Sequence, residues 1–149
     1  MRVGFTGTQK GLTKYQKEKL EHWIRQNRFR ITEFHHGDCI GADAEAHNIM
    51  THIAGGAVIH IHQPDKSVKR AWCQWFNAVV YEAKPYLERN HDIVDNCDWL
   101  LVAPETPQEK IRSGTWSTYR YAVKQQDKHL PITLFLPNGD VKEHGQVVE

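Results

Sequence analysis

Five short apolar runs punctuate the chain: Arg2 to Thr6, Ile31 to His36, Ala57 to Gln63, Trp99 to Ala103 and Pro131 to Leu136. Each is rich in Val, Ile, Leu or Phe and bounded by turn-forming residues, the pattern of buried strands. Between them the apolar spacing turns helical. Leu20, Trp23 and Ile24 stand at i, i+3, i+4 behind Thr13, a good capping residue, which predicts a helix over Thr13 to Gln26. A second helix is expected to begin within GADAEAH, reach about Ile53 and stop at Gly55-Gly56. Pro85 splits the next region into helices over Val68 to Ala83 and Tyr86 to Asn96, and the last helix covers Thr115 to Gln126. Asn138-Gly139 then signals a hairpin-like turn in the tail.

Strands that alternate with helices need crossover connections, so the expected fold class is α/β: one domain over residues 1–149 with a doubly wound, mainly parallel sheet of about five strands. A chain of 149 residues suits a single core. Lys plus Arg total 19 against 18 Asp plus Glu, so no net field draws the chain to nucleic acid or an anionic membrane, and nucleic acid is not the expected partner. A nucleic-acid role would need a local patch. No apolar run is long enough to cross a membrane, and no secretory signal opens the chain. Cys39, Cys73 and Cys97 are odd in number and form no CxxC pair, which argues against a disulfide scaffold or zinc ribbon and leads us to expect a cytoplasmic protein.

Ligands of open parallel sheets bind beyond the carboxyl ends of the strands. Three small-residue turns fall there: GTQKG after the first strand, GDCIGAD after the second and RSGT after the fourth. Glycine admits close approach of a ligand, and the first amides of the following helix attract an anion. These turns nominate Gly7, Thr8, Gly37, Asp38, Gly41, Ser113, Gly114 and Thr115 as nucleotide-binding residues, with Arg112 placed for bidentate contact with a phosphate. Trp116 either stacks a base or fills the core. Asp43 is either a partner for a ribose or a first-turn helix charge, and Glu109 either a general base or a solvated loop charge. The group His35, His36, Asp38, Cys39 and His47 invites a metal, but strand alternation turns His35 and His36 to opposite faces and no HxxxH pair is present. No metal, Walker A loop or resident cofactor is expected.

Taken in order, VGFTGTQKG, HHGDCIGADAEAH with GGAVIHIHQP, LERNHDIVDNCDWLLVAPE, and RSGTWSTYRYA with LPITLFLP resemble the SLOG superfamily of Rossmann-like nucleotide-binding proteins, over roughly Val3 to Leu136. The pattern is nearest to its small YspA/YpsA-type members, and more distantly similar to the lonely-guy phosphoribohydrolases and the DNA-processing protein DprA. The phosphoribohydrolases carry an arginine shortly before the fourth strand and a PGGxGTxxE turn after it. Arg89 matches that arginine, and Gly114-Thr115 match the Gly-Thr that holds a 5′-phosphate. The catalytic glutamate falls at Thr118, so the chain departs from the hydrolase pattern there. The resemblance implies a nucleotide or nucleotide-derived ligand, bound by a sensor or carrier. The alternative is hydrolysis of the N-glycosidic bond of a nucleoside 5′-monophosphate, with Arg89, Glu109 and Asp43 as the catalytic candidates. Single-stranded DNA binding is a third, less favoured reading. A homo-oligomer is also expected, and Trp72 to Phe76 would suit a two-fold interface if exposed.

Overall fold

The computed structural model describes residues 1–125 and 129–144. Seven strands form one sheet: β1 (Arg2–Gly7), β2 (Glu33–His36), β3 (Val58–Ile61), β4 (Val79–Val80), β5 (Trp99–Ala103), β6 (Ile132–Phe135) and β7 (Val141–His144). The helices are α1 (Lys14–Asn27), α2 (Ala42–Ile53), α3 (Tyr86–Asp95) and α4 (Gly114–Val123). Strand order is β4-β3-β2-β1-β5-β6-β7, parallel throughout except for β7. The chain winds outward from β1 to β4, then crosses back to β5 on the other side of β1. That reversal places the switch point between β1 and β5, whose ends meet where the Thr8 amide donates to Ala103 O at 3.0 Å.

Strand alternation divides the apolar residues between two layers. Val3, Phe5, Phe34, Ile59, Ile61 and Leu101 pack under α1 and α2 with Leu20, Ile24, Ile49 and Met50. Leu100, Val102, Ile132 and Leu134 pack with Ile93 and Val94 of α3 and Trp116 and Ala122 of α4. Thr13 caps α1 in a reciprocal box with Gln16, a device worth about 1 kcal/mol. Gln16 is itself buried, and its amide donates to Pro104 O and Phe135 O, which pins the start of α1 to the ends of β5 and β6.

The sheet has seven strands rather than about five. β7 follows the Asn138-Gly139 turn, where Gly139 takes a φ of 95°. β4 lies inside the stretch expected to be a helix over Val68 to Ala83. That helix does not form: the segment holds a single 3-10 turn at Ser67–Lys69, loop and β4. Asp38 draws the segment inward instead. Its carboxylate accepts from Arg70 Nε at 2.7 Å and from the Cys73 amide at 2.8 Å, and its carbonyl accepts from the Ala71 amide. Such long-range bonds to a buried charge outweigh the weak helix propensity of a Val-, Trp-, Cys- and Asn-containing run. Trp72 and Phe76 are left exposed, while Trp75 packs against the core. The final helix ends at Val123, and its expected end at Gln126 lies outside the described residues.

Several histidines are built into the sheet. Burial holds His36 well below its ordinary pKa and His35 at about 4. His36 Nδ1 accepts from the Asp38 amide, its Nε2 donates to His47 Nδ1 at 3.0 Å, and His47 Nε2 donates to Gln74 O. The amide fixes the proton positions along the whole chain of bonds. Cys39, Cys73 and Cys97 form no disulfide, and no described helix is long and apolar enough to cross a membrane.

Candidate functional site

A cleft of about 680 Å³ opens at the carboxyl edge of the sheet, over the switch point. The turn after β1 lines it with Gly7, Thr8 and Lys10, and the segment after β5 supplies Glu105, Lys110, Arg112, Ser113, Gly114 and Thr115. Asp43 of α2, Tyr86, Arg89 and Asn90 of α3, and Lys66 and Lys69 complete most of the wall. Six cationic side chains, Lys10, Lys66, Lys69, Arg89, Lys110 and Arg112, thus line the cleft with only two carboxylates, Asp43 and Glu105, a local balance of +4 with every group ionised. The whole chain carries only +1. Net charge had concealed a local concentration suited to an anion.

At the floor, Arg89 is buried with 4% exposure, and its Nη1 donates to Gly37 O and to His62 O. Gly37 permits this because a Cβ there would overlap the guanidinium. Arg89 Nε has no hydrogen-bond partner among the described residues, and neither has Asp43 Oδ1. The other Asp43 oxygen accepts from the Cys39 amide at 3.2 Å. Desolvation raises the Asp43 pKa from 3.8 to about 6, against the opposing pull of Arg89 and the Cys39 amide. A carboxyl that titrates near neutrality beside a buried arginine, with polar atoms on both left unpaired, is an arrangement common at ligand sites and rare in a settled core.

The wall after β5 is the start of α4. Ser113 caps it, accepting from the Trp116 amide at 3.2 Å. The Gly114 and Thr115 amides occupy the first helical positions, where no intrahelical carbonyl is available, so they are free to meet an anion at the positive end of the helix. Arg112 lines the cleft with no hydrogen-bond or ion-pair partner among the described residues. Across the mouth, Lys10 and Glu105 pair at 2.7 Å and tie the loops after β1 and β5 together.

Of the residues nominated from sequence, Gly7, Thr8, Asp43, Arg89, Arg112, Ser113, Gly114 and Thr115 are brought together on this cleft. Five others stand elsewhere or behind it. Gly37 makes room for Arg89, and Asp38 is fully buried as the anchor for residues 70–73. Gly41 precedes α2 with a φ of 87°, where a Cβ would strike the carbonyl of Gln9. Trp116 is in the core, its indole donating to Thr106 Oγ1 at 3.0 Å. Glu109 is exposed and faces Arg120 at 3.4 Å. Thr118, at the position of the family glutamate, is buried and donates to Gly114 O within its own helix. The sequence did not single out Lys66 and Lys69, which lie just before and within the stretch expected to be a helix, nor Lys10, because a lysine in a turn carries no spacing signal.

No family model matches the chain, and no curated protein matches it. Solved structures do. It is similar to a molybdenum cofactor binding protein from Rippkaea orientalis, with a TM-score of 0.63 and 16% identity over 90% of this chain and 75% of that one. The structural-genomics target TM1055 gives 0.61 and 14% over 85% and 71%. DNA processing protein A from Helicobacter pylori, described for its single-stranded DNA binding mode, gives 0.59 and 17% over 90% and 64%. At these identities the likeness is one of fold: a Rossmann-like, mainly parallel α/β domain.

Proposed function

We propose that the cleft binds a nucleotide or nucleotide-derived small molecule and that the protein acts as its sensor or carrier. The observation that carries this reading is the cationic cleft over the switch point, with the free first amides of α4 on its wall and the unpaired polar atoms of Asp43 and Arg89 at its floor. The phosphate lies against Arg112, Gly114 and Thr115, and the ribose reaches toward Asp43 and Arg89. The SLOG resemblance, and the cofactor-binding description of one structural neighbour, point the same way. Calorimetry with AMP and ADP-ribose should show one site per chain, weakening as salt rises because the lining cations are screened. Native mass spectrometry should find a nucleotide retained through purification. Failure of both ligands to bind, with none retained, would reject the reading. The expected homo-oligomer would use the exposed Trp72 and Phe76, and its mass in solution tests that.

The pKa of Asp43 supports a second reading, N-glycosidic hydrolysis of a nucleoside 5′-monophosphate. A carboxyl near pH 6 can act as general acid or base, and a carboxylate also stabilises an oxocarbenium-like transition state. In this reading the reacting carboxylate is Asp43 rather than Glu109, which faces solvent outside the cleft. Release of ribose 5-phosphate from AMP, GMP or CMP by the wild-type protein, lost in Asp43→Asn, would favour hydrolysis over binding alone.

A further inference from the structure

Away from the cleft, the register of β2 and β3 creates a cluster that residue spacing concealed. His35 lies directly opposite His60 in the parallel pair, and Glu33 stands two residues before His35 on the same face of the sheet. The two imidazoles stack at 4.2 Å with an interplanar angle of 17°. Both present Nε2 to one oxygen of Glu33, at 2.9 Å from His35 and 3.3 Å from His60. We propose that Glu33, His35 and His60 form a binding site for a divalent transition metal of the zinc type.

The donor set is two imidazole nitrogens and a carboxylate oxygen, all within 4.8 Å of one another. Zinc bonds of about 2.0–2.1 Å in tetrahedral geometry place neighbouring donors about 3.4 Å apart, a spacing these atoms can reach once the stacked rings turn to aim both Nε2 lone pairs at one ion. Glu33 is the adjustable member, with its side chain 31% exposed, whereas His35 is buried. The remaining ring nitrogens are suited to the task. His35 Nδ1 lies 2.8 Å from His62 Nε2, and His60 Nδ1 lies 2.7 Å from the Tyr81 hydroxyl. Each partner can accept a hydrogen, so both ligand rings can carry the proton on Nδ1 and keep the Nε2 lone pair for the ion. The exposed side of Glu33 leaves an entry path and a fourth position for water.

A second group, His36, His47 and Cys73, also gathers its donor atoms within 4.8 Å. Its hydrogen bonds forbid the same use. The Asp38 amide donates to His36 Nδ1, so the one proton of the neutral ring sits on Nε2 and is given to His47. A metal on His36 Nε2 would require a doubly deprotonated ring. The two groups therefore make opposite predictions about where an ion goes.

Untagged protein stripped with a chelator and titrated with zinc chloride should bind one ion per chain and melt at a higher temperature. Cobalt chloride should give the visible absorption of a four-coordinate site with nitrogen and oxygen ligands. Glu33→Gln and His60→Asn should each abolish stoichiometric binding, while His52→Asn, elsewhere on α2, leaves it intact. Tyr81→Phe should weaken binding about tenfold or more, since it removes only the partner that orients His60. Circular dichroism would establish that the variants are folded. Absence of stoichiometric binding to the wild-type protein overturns the proposal. So does binding that survives in folded Glu33→Gln and His60→Asn but is lost in His47→Asn, which would put the ion in the other group.

Discussion

Asp43→Asn should make the protein more stable and its cleft less competent. The carboxyl titrates at about 6 instead of 3.8 because burial disfavours its charge more than Arg89 and the Cys39 amide favour it. That rise means that the ionised group costs the fold about 3 kcal/mol relative to a neutral one. Asp43 also stands in the first turn of α2, where a negative charge contributes about 0.5–1 kcal/mol that asparagine forgoes. The net expectation is a gain of about 2 kcal/mol above neutral pH, or roughly 4–8 °C in Tm for a chain of this size. The sign with pH follows from the raised pKa. Between pH 3.8 and about 6 the folded state holds a proton that the unfolded state has released, so wild-type stability falls across that window as pH rises. The advantage of the asparagine variant should therefore be near zero at pH 4 and reach its plateau above pH 6. Thermal and urea melts of both proteins over this range, paired with calorimetry using AMP and ADP-ribose, provide the measurement. A variant less stable than wild type by 1 kcal/mol or more (roughly 2–4 °C), with ligand affinity unchanged, would show Asp43 to be a structural helix charge and refute the reasoning.

Arg112→Ala or Thr115→Val should weaken nucleotide binding about tenfold or more, since a charge-assisted contact is worth roughly 1.5–3 kcal/mol, and calorimetry reads this directly. Gly41→Val should reduce stability by about 2–4 kcal/mol, combining an unfavourable φ of 87° with a clash against Gln9 O, and thermal melts would show it. Asp38→Ala removes two hydrogen bonds to a buried carboxylate and should cost about 3–5 kcal/mol, with proteolysis newly admitted between residues 66 and 80. Asp38→Asn should retain more of the fold, because it keeps one acceptor for the Cys73 amide and tolerates the φ of 55° at this position.

The apolar runs at residues 2–6, 31–36, 57–63, 99–103 and 131–136 sufficed to predict a mainly parallel α/β sheet, because strand burial is a local property of consecutive residues. The capping of α1 by Thr13 and the Asn138-Gly139 turn were legible for the same reason. Legible too were the β1 turn and the start of α4, since glycine and small hydroxyl residues after a strand have few other uses there. What the tertiary structure decided depends on partners distant in the chain. Val68 to Ala83 carries aromatics at helical spacing, yet Asp38 competes for its backbone and Val79–Val80 pair with β3. Trp116 could face a base or the core from sequence alone, and only the placement of Thr106 and the second core layer assigns it inward. The positive cleft in a near-neutral chain comes from lysines and arginines contributed by four separate segments. The pairing of His35 with His60 is a matter of strand register, which residue spacing along a single chain does not encode.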